Sequence, residues 1–90
     1  MLKTLEELIA VIRQRKVSSA EESYTKKLLN DKKLSVEKVK EEITELIEAI
    51  ENDTNKVHEA ADVLYHLMAL LEANGIKIED VMDELKKRKK

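Results

Sequence analysis

Residues 59–71 read Glu59-Ala60-Ala61-Asp62-Val63-Leu64-Tyr65-His66-Leu67-Met68-Ala69-Leu70-Leu71. Wound as a helix, this stretch is apolar almost all round, and a helix of that kind is expected to be buried on most sides. Asp62 and His66 interrupt it, four residues apart and on the same side as Glu59. A carboxylate taken out of water needs a cation, a metal ion or a complete hydrogen-bond network. His66 reads as a hydrogen-bonded core group or a support for a ligand rather than as a ligand itself.

The helix before it supplies a complement. Val36, Val39, Ile43, Leu46, Ile47 and Ile50 recur at helical spacing, with Ser35 as the expected cap and an end near Glu51 to Asp53. Thr54 is the expected cap of the next helix, so the two helices form an antiparallel hairpin. At about 100° per residue, Glu42 falls beside Leu46 at the edge of the apolar stripe, and Glu45 about 60° further round. Lys38 lies on that flank, whereas Glu41 and Glu48 lie further toward the polar side. Each helix thus offers two carboxylates at i and i+3, Glu42 with Glu45 and Glu59 with Asp62. Four carboxylates converging between helices repel one another unless a cation joins them. Mg²⁺ suits such a site, because it takes oxygen ligands and retains some waters.

Further out, Leu2, Leu5, Leu8, Ile9 and Ile12 predict a first helix from about Leu2 to Arg15. Ser19 and Glu22 have the form of a capping box for a short helix from about Ala20 to Asn30. Asn30 to Leu34 reads as a loop. Asn74-Gly75 is a left-handed helix stop, and a last helix starts near Ile78. The 90 residues allow one domain, residues 1–90, an all-α antiparallel bundle of about five helices. A core this small, without Phe or Trp, would gain from pairing with a second copy. The net charge is −2, and the only basic run is Lys86 to Lys90. No basic face is interleaved with aromatics, so nucleic acid is not an expected partner. No apolar run reaches a membrane span and the start is too acidic for a signal peptide, so the expected location is cytoplasmic. The chain has no Cys and therefore no thiolate zinc site.

The order Glu41-Glu42-x-x-Glu45, then Glu59-x-x-Asp62 on the next helix, resembles the signature of the all-α nucleoside-triphosphate pyrophosphatase (MazG-like) superfamily. Finer features are similar to its phosphoribosyl-ATP pyrophosphatase branch: Ser23-Tyr24-Thr25-Lys26-Lys27-Leu28-Leu29, Lys38-Val39-Lys40-Glu41-Glu42, Glu59 to Leu67, and Gly75 to Val81 with Glu84, Leu85 and Arg88. Lys40 stands where that branch usually has Gly, Thr44 where it often has a small apolar residue, and the stretch 30–34 lacks its usual Gly.

The resemblance implies hydrolysis of 1-(5-phosphoribosyl)-ATP to 1-(5-phosphoribosyl)-AMP and pyrophosphate, the second step of histidine biosynthesis, by a homodimer with its site near the subunit junction. In such a reaction the work is charge neutralisation and positioning of phosphoryl oxygens. The expected Mg²⁺ ligands are Glu42, Glu45, Glu59 and Asp62, with Glu41 or Glu45 as the base. Lys38, Ser23, Tyr24, Thr25 and Lys26 are the expected contacts to the nucleotide substrate. Two other readings remain: a MazG-like pyrophosphatase acting on other (deoxy)nucleoside triphosphates, and a non-catalytic helical interaction module. A di-iron bundle is disfavoured, because the chain has no Glu-x-x-His.

Overall fold

The computed structural model describes residues 1–17 and 23–89. The Ser19–Glu22 capping box lies outside the described residues. Five helices follow in order: α1 Lys3–Val17, α2 Tyr24–Asn30, α3 Lys32–Asn52, α4 Lys56–Ala73 and α5 Ile78–Arg88. Among the described residues there is no strand, as an all-α bundle requires.

The core forms where α1, α2 and α4 meet. Ile9, Ile12, Leu29 and Met68 are buried together, and Leu5, Leu8, Leu67, Leu71 and Ile78 pack against them. Leu28 and Ile12 are fully buried, and each such side chain contributes about 1.5–3 kcal/mol on leaving water. α3 and α4 make the most extensive helix–helix contact, the hairpin expected from the short turn between them.

Three local expectations are corrected. The stretch 30–34 is not a loop. Asp31 caps α3 by accepting a hydrogen bond from the Leu34 N–H at 3.0 Å. Asp is as good a cap as Ser, and the residues after it are ordinary helix formers, so the helix starts one turn early. Ser35 is therefore not a cap. It sits inside α3, 1% exposed, and its Oγ has no hydrogen-bond partner. Thr54 does not cap α4 either. Asp53 ends α3 in the left-handed region at φ 54°, and Thr54 N–H closes that turn onto the Ala49 carbonyl at 2.9 Å. Asn55 then takes the cap position at φ 39° without a side-chain cap bond. Asp and Asn tolerate that backbone better than Thr does.

The stop after α4 is the one expected. Gly75 has φ 69°, Gly75 N–H bonds the Glu72 carbonyl and Ile76 N–H bonds the Leu71 carbonyl. That crossed pair is the Schellman arrangement.

The apolar stripe of α3 does not face the core as one surface. Val39 is buried, but Val36, Ile43, Ile47 and Ile50 are exposed, and Ser35, Glu42 and Ala49 take the buried face. α4 is likewise open on one side, at Val57, Ala61 and Leu64. Both helices of the hairpin therefore carry exposed apolar side chains.

α5 is held at its start. Arg13 of α1 reaches across to Glu79 with two bonds, at 2.9 and 2.6 Å, and to buried Glu72 of α4 at 3.0 Å. Lys16 adds a bond from Nζ to the Glu72 carbonyl at 2.7 Å. The guanidinium holds the Glu79 carboxyl down to about 2, and its own pKa is raised by the same contacts. Sequence reading missed this link, because its partners lie far apart in the chain. A groove of about 540 Å³ runs between α1 and α5, lined by Leu5, Ile9, Ile78 and Met82 among others. It lies away from the acidic hairpin.

Candidate metal centre

The hairpin gathers its acidic side chains into one place. Glu42, Glu45 and Glu59 each present a carboxylate oxygen, and the three oxygens lie within 4.8 Å of one another. A second set, His58, Glu59 and Asp62, meets the same limit. Glu59 belongs to both. Glu59 thus meets the Glu42–Glu45 pair across the helix contact, while Asp62 is grouped with Glu59 and His58 on α4.

Burial makes this crowding costly. Glu42 is 9% exposed, and its Oε2 is shut off from solvent with no hydrogen-bond partner. Glu59 Oε2 is in the same condition. Loss of solvent pushes the Glu42 carboxyl above its usual value, and Glu45 beside it pushes further, as hydrogen-bond partner and as like charge. His66 acts in the opposite sense, and Asp62 adds a smaller repulsion. The Glu59 carboxyl is raised for the same reasons, burial first and then Glu45. Buried carboxylate oxygens without a partner are rare in native proteins and call for an explanation. A divalent cation supplies one, as it gives those oxygens a ligand contact and removes the repulsion.

Asp62 is half-buried, and its carboxylate lies 3.4 Å from Nε2 of His58 one turn earlier. His58 was not among the expected site residues, although its i,i+4 spacing to Asp62 was readable. His66 is buried and fully bonded. Its Nδ1 lies 2.8 Å from the Asp62 carbonyl, and its Nε2 lies 2.8 Å from the Tyr24 hydroxyl. A carbonyl can only accept, so Nδ1 carries a proton and donates it to Asp62. His66 therefore holds α2 against the ligand-bearing part of α4.

The other expected residues divide into two groups. Tyr24 and Thr25 of α2 pack against Tyr65 and His66 of α4. The Tyr24 ring stacks on Tyr65 at a centroid distance of 6.2 Å, and the Thr25 hydroxyl bonds the Tyr65 hydroxyl. Burial raises the Tyr24 pKa, with Lys38 opposing and Glu42 and Glu41 adding to the rise. Lys38 is half-buried, 3.5 Å from Glu41. Ser23 caps α2 by accepting from the Lys26 N–H at 3.1 Å. Glu41 is exposed and paired with Lys38, so Glu45 stands closer to the buried carboxylates than Glu41 does. A shallow depression of about 210 Å³, lined by Glu45, Glu48, Asn52, Asn55 and Glu59 among others, opens beside the cluster.

The two departures in α3 sit apart from this chemistry. Lys40 and Thr44 are exposed, and the Thr44 hydroxyl bonds the Lys40 carbonyl at 3.0 Å in regular helix.

Comparison with known proteins follows the same outline. Residues 5–89 match the family described as phosphoribosyl-ATP pyrophosphohydrolase. A phosphoribosyl-ATP pyrophosphatase of Methanocella arvoryzae is 43% identical over 95 aligned positions, covering 100% of both chains. That of Haloarcula marismortui is 42% identical over 90 positions, 94% of this chain and 92% of the relative. That of Methylobacterium nodulans is 45% identical over 92 positions, 94% of this chain and 82% of the relative. The likeness runs through every helix that builds the acidic hairpin, and the chain belongs to the phosphoribosyl-ATP pyrophosphohydrolase family.

Proposed function

We propose that this chain hydrolyses 1-(5-phosphoribosyl)-ATP to 1-(5-phosphoribosyl)-AMP and pyrophosphate, with Mg²⁺ held by Glu42, Glu45, Glu59 and Asp62. Family membership supports the reaction, which is a step of histidine biosynthesis. The observation that carries the metal assignment is the buried, unpartnered Oε2 of Glu42, facing Glu45 and Glu59.

Mg²⁺ bound there would offset the triphosphate charge and make water easier to deprotonate. The protein supplies the rest. Glu42 and Glu59, each with an Oε2 shut off from solvent, would hold the cation. Glu45 is exposed yet touches the same cluster, so it can take a proton from attacking water and release it to solvent. Glu41 is the weaker candidate base, since Lys38 engages it. Lys38 can meet a phosphate oxygen after leaving Glu41. Tyr24 and Thr25 offer hydroxyls to the nucleotide. Ser23 can do so through its hydroxyl proton while its oxygen caps α2. Lys26 stands one turn on from that cap.

The exposed face of Val36, Ile43, Ile47, Ile50, Val57 and Leu64 supports a homodimer, with a second copy covering both helices. No described helix is long and apolar enough to cross a membrane, and we take the working location to be the cytoplasm. A panel of phosphoribosyl-ATP and common and deoxy nucleoside triphosphates, scored by released pyrophosphate with and without Mg²⁺, tests the reaction. A higher rate on a free nucleoside triphosphate would replace the substrate assignment. Light scattering after gel filtration should give twice the chain mass.

A further inference from the structure

We propose that His58 is a nitrogen ligand of this centre, and that one of its cation positions therefore favours Mn²⁺ or Co²⁺ over Mg²⁺. The inference rests on the carboxylate metal centre above and concerns a residue outside the Glu-x-x-Glu and Glu-x-x-Asp pattern.

Three observations carry it. First, His58, Glu59 and Asp62 present one nitrogen and two carboxylate oxygens within 4.8 Å of one another. Asp62 falls between the other two in projection, about 40° past His58 and about 60° short of Glu59 at 3.6 residues per turn. One cation can therefore meet all three from the α4 surface. Second, Glu59 is common to this set and to the Glu42–Glu45–Glu59 set. A carboxylate with two oxygens shared by two neighbouring sets is suited to bridge two cations. Four carboxylates carry more negative charge than one divalent ion offsets. Third, Glu42 of the adjoining set is nine-tenths buried with a partnerless Oε2, and Oε2 of the shared Glu59 is partnerless too. The acidic group is thus built around something it does not itself contain.

The nitrogen decides the kind of ion. Mg²⁺ takes oxygen ligands and retains water, whereas imidazole moves preference along the series toward Mn²⁺, Co²⁺ and beyond. His58 is 71% exposed in its side chain and touches the cluster only through Asp62. It is free to rotate onto a bound ion. The only other histidine, His66, has both ring nitrogens engaged by Asp62 and Tyr24. Any imidazole signal from a bound metal must then come from His58.

The experiment uses the full chain, stripped of metal and titrated with Mn²⁺ and with Mg²⁺ by calorimetry. Electron spin-echo spectroscopy of the Mn²⁺ form reads nitrogen coordination directly. Nitrogen modulation should appear in the unsubstituted protein and vanish in His58→Gln, and that variant should bind Mn²⁺ about tenfold or more weaker. Its Mg²⁺ affinity should change by much less. Mn²⁺ bound without nitrogen modulation, or modulation that survives His58→Gln, overturns the assignment of His58. So does an equal effect on both ions. Glu42→Gln separates this from the parent reading: Mn²⁺ binding that it abolishes but His58→Gln leaves alone keeps the carboxylate centre and removes His58. No binding of either ion to the unsubstituted protein overturns both.

Discussion

The Tyr24 hydroxyl is hydrogen-bonded to Nε2 of His66 at 2.8 Å, and the same imidazole donates from Nδ1 to the carbonyl of Asp62. A short helix is thereby tied through one imidazole to the backbone that carries a candidate metal ligand. Tyr24→Phe keeps the ring contacts and removes only the hydroxyl, leaving His66 Nε2 unpaired. We expect a loss of about 1–2 kcal/mol in urea unfolding, together with reduced kcat/KM. A variant as stable and as active as the parent would show that this bond positions nothing.

Glu42→Gln and Asp62→Asn keep shape and helix propensity while removing charge. Both should abolish Mg²⁺-dependent pyrophosphate release, with far-ultraviolet circular dichroism unchanged. In metal-free protein Glu42→Gln should raise the melting temperature, because one repelling carboxylate is gone from the buried cluster. Full activity in either variant would remove the metal assignment.

The raised carboxyls set the direction of a pH effect. Glu42 and Glu59 bind protons more tightly in the folded chain than their usual value of 4.5 allows in the unfolded one. Their contribution to stability is therefore fully present below that value and is lost as pH rises through the raised values. Metal-free protein should melt lower at about pH 7 than at about pH 5.5, and saturating Mg²⁺ should shrink the difference by binding the ionised forms. Calorimetric scans with EDTA or with Mg²⁺ check this. A pH slope unaltered by Glu42→Gln would rule out its origin in the cluster.

Arg13 joins α1, α4 and α5 through Glu72 and Glu79. Arg13→Leu leaves the buried Glu72 with Lys16 alone, its Nζ 3.9 Å from the carboxylate. An expected loss of about 1–3 kcal/mol follows from the under-partnered carboxylate. Exposed Glu79 contributes little of it. Hydrogen exchange should rise first in α5, whose other hold on the core is Ile78. Uniform exchange across the helices would refute that order.

Ser35 is an easy site to improve. Its Oγ is buried without a partner, and Ala is the better helix former. Ser35→Ala should raise stability by up to about 1 kcal/mol in chemical denaturation, with activity unchanged. A destabilised variant would mean that the hydroxyl has a role unseen among its neighbours.

Much of the architecture could be read from spacing. The helical repeat of α1, the Asn74-Gly75 stop and the beginning of α5 follow from local rules, and so does the approach of Glu59 to Glu42 and Glu45 across the hairpin. Local rules also account for the errors. Asp31 and Ser35 are both good caps, and choosing between them depends on whether a turn of Lys32, Lys33 and Leu34 can join the helix. Thr54 lost its place because Asp53 entered the left-handed region. Periodicity identified the α3 stripe but not its facing. That depends on how the helix rolls against α4, and the observed roll buries Glu42 while leaving Ile43, Ile47 and Ile50 outside. Arg13 and Glu72 are 59 positions apart, a pairing that no local pattern contains. His58 lay in plain view one turn before Asp62, hidden by attention to carboxylates alone.

All four candidate acidic ligands reside on a single hairpin, whereas the candidate hydroxyl-bearing contacts arrive on α2, a seven-residue helix held to it chiefly from α4. Under the proposed assignment, reactivity and recognition would occupy separate modules of the chain. Substitutions in the short module would then change which nucleotide is admitted while leaving the hairpin's chemistry in place.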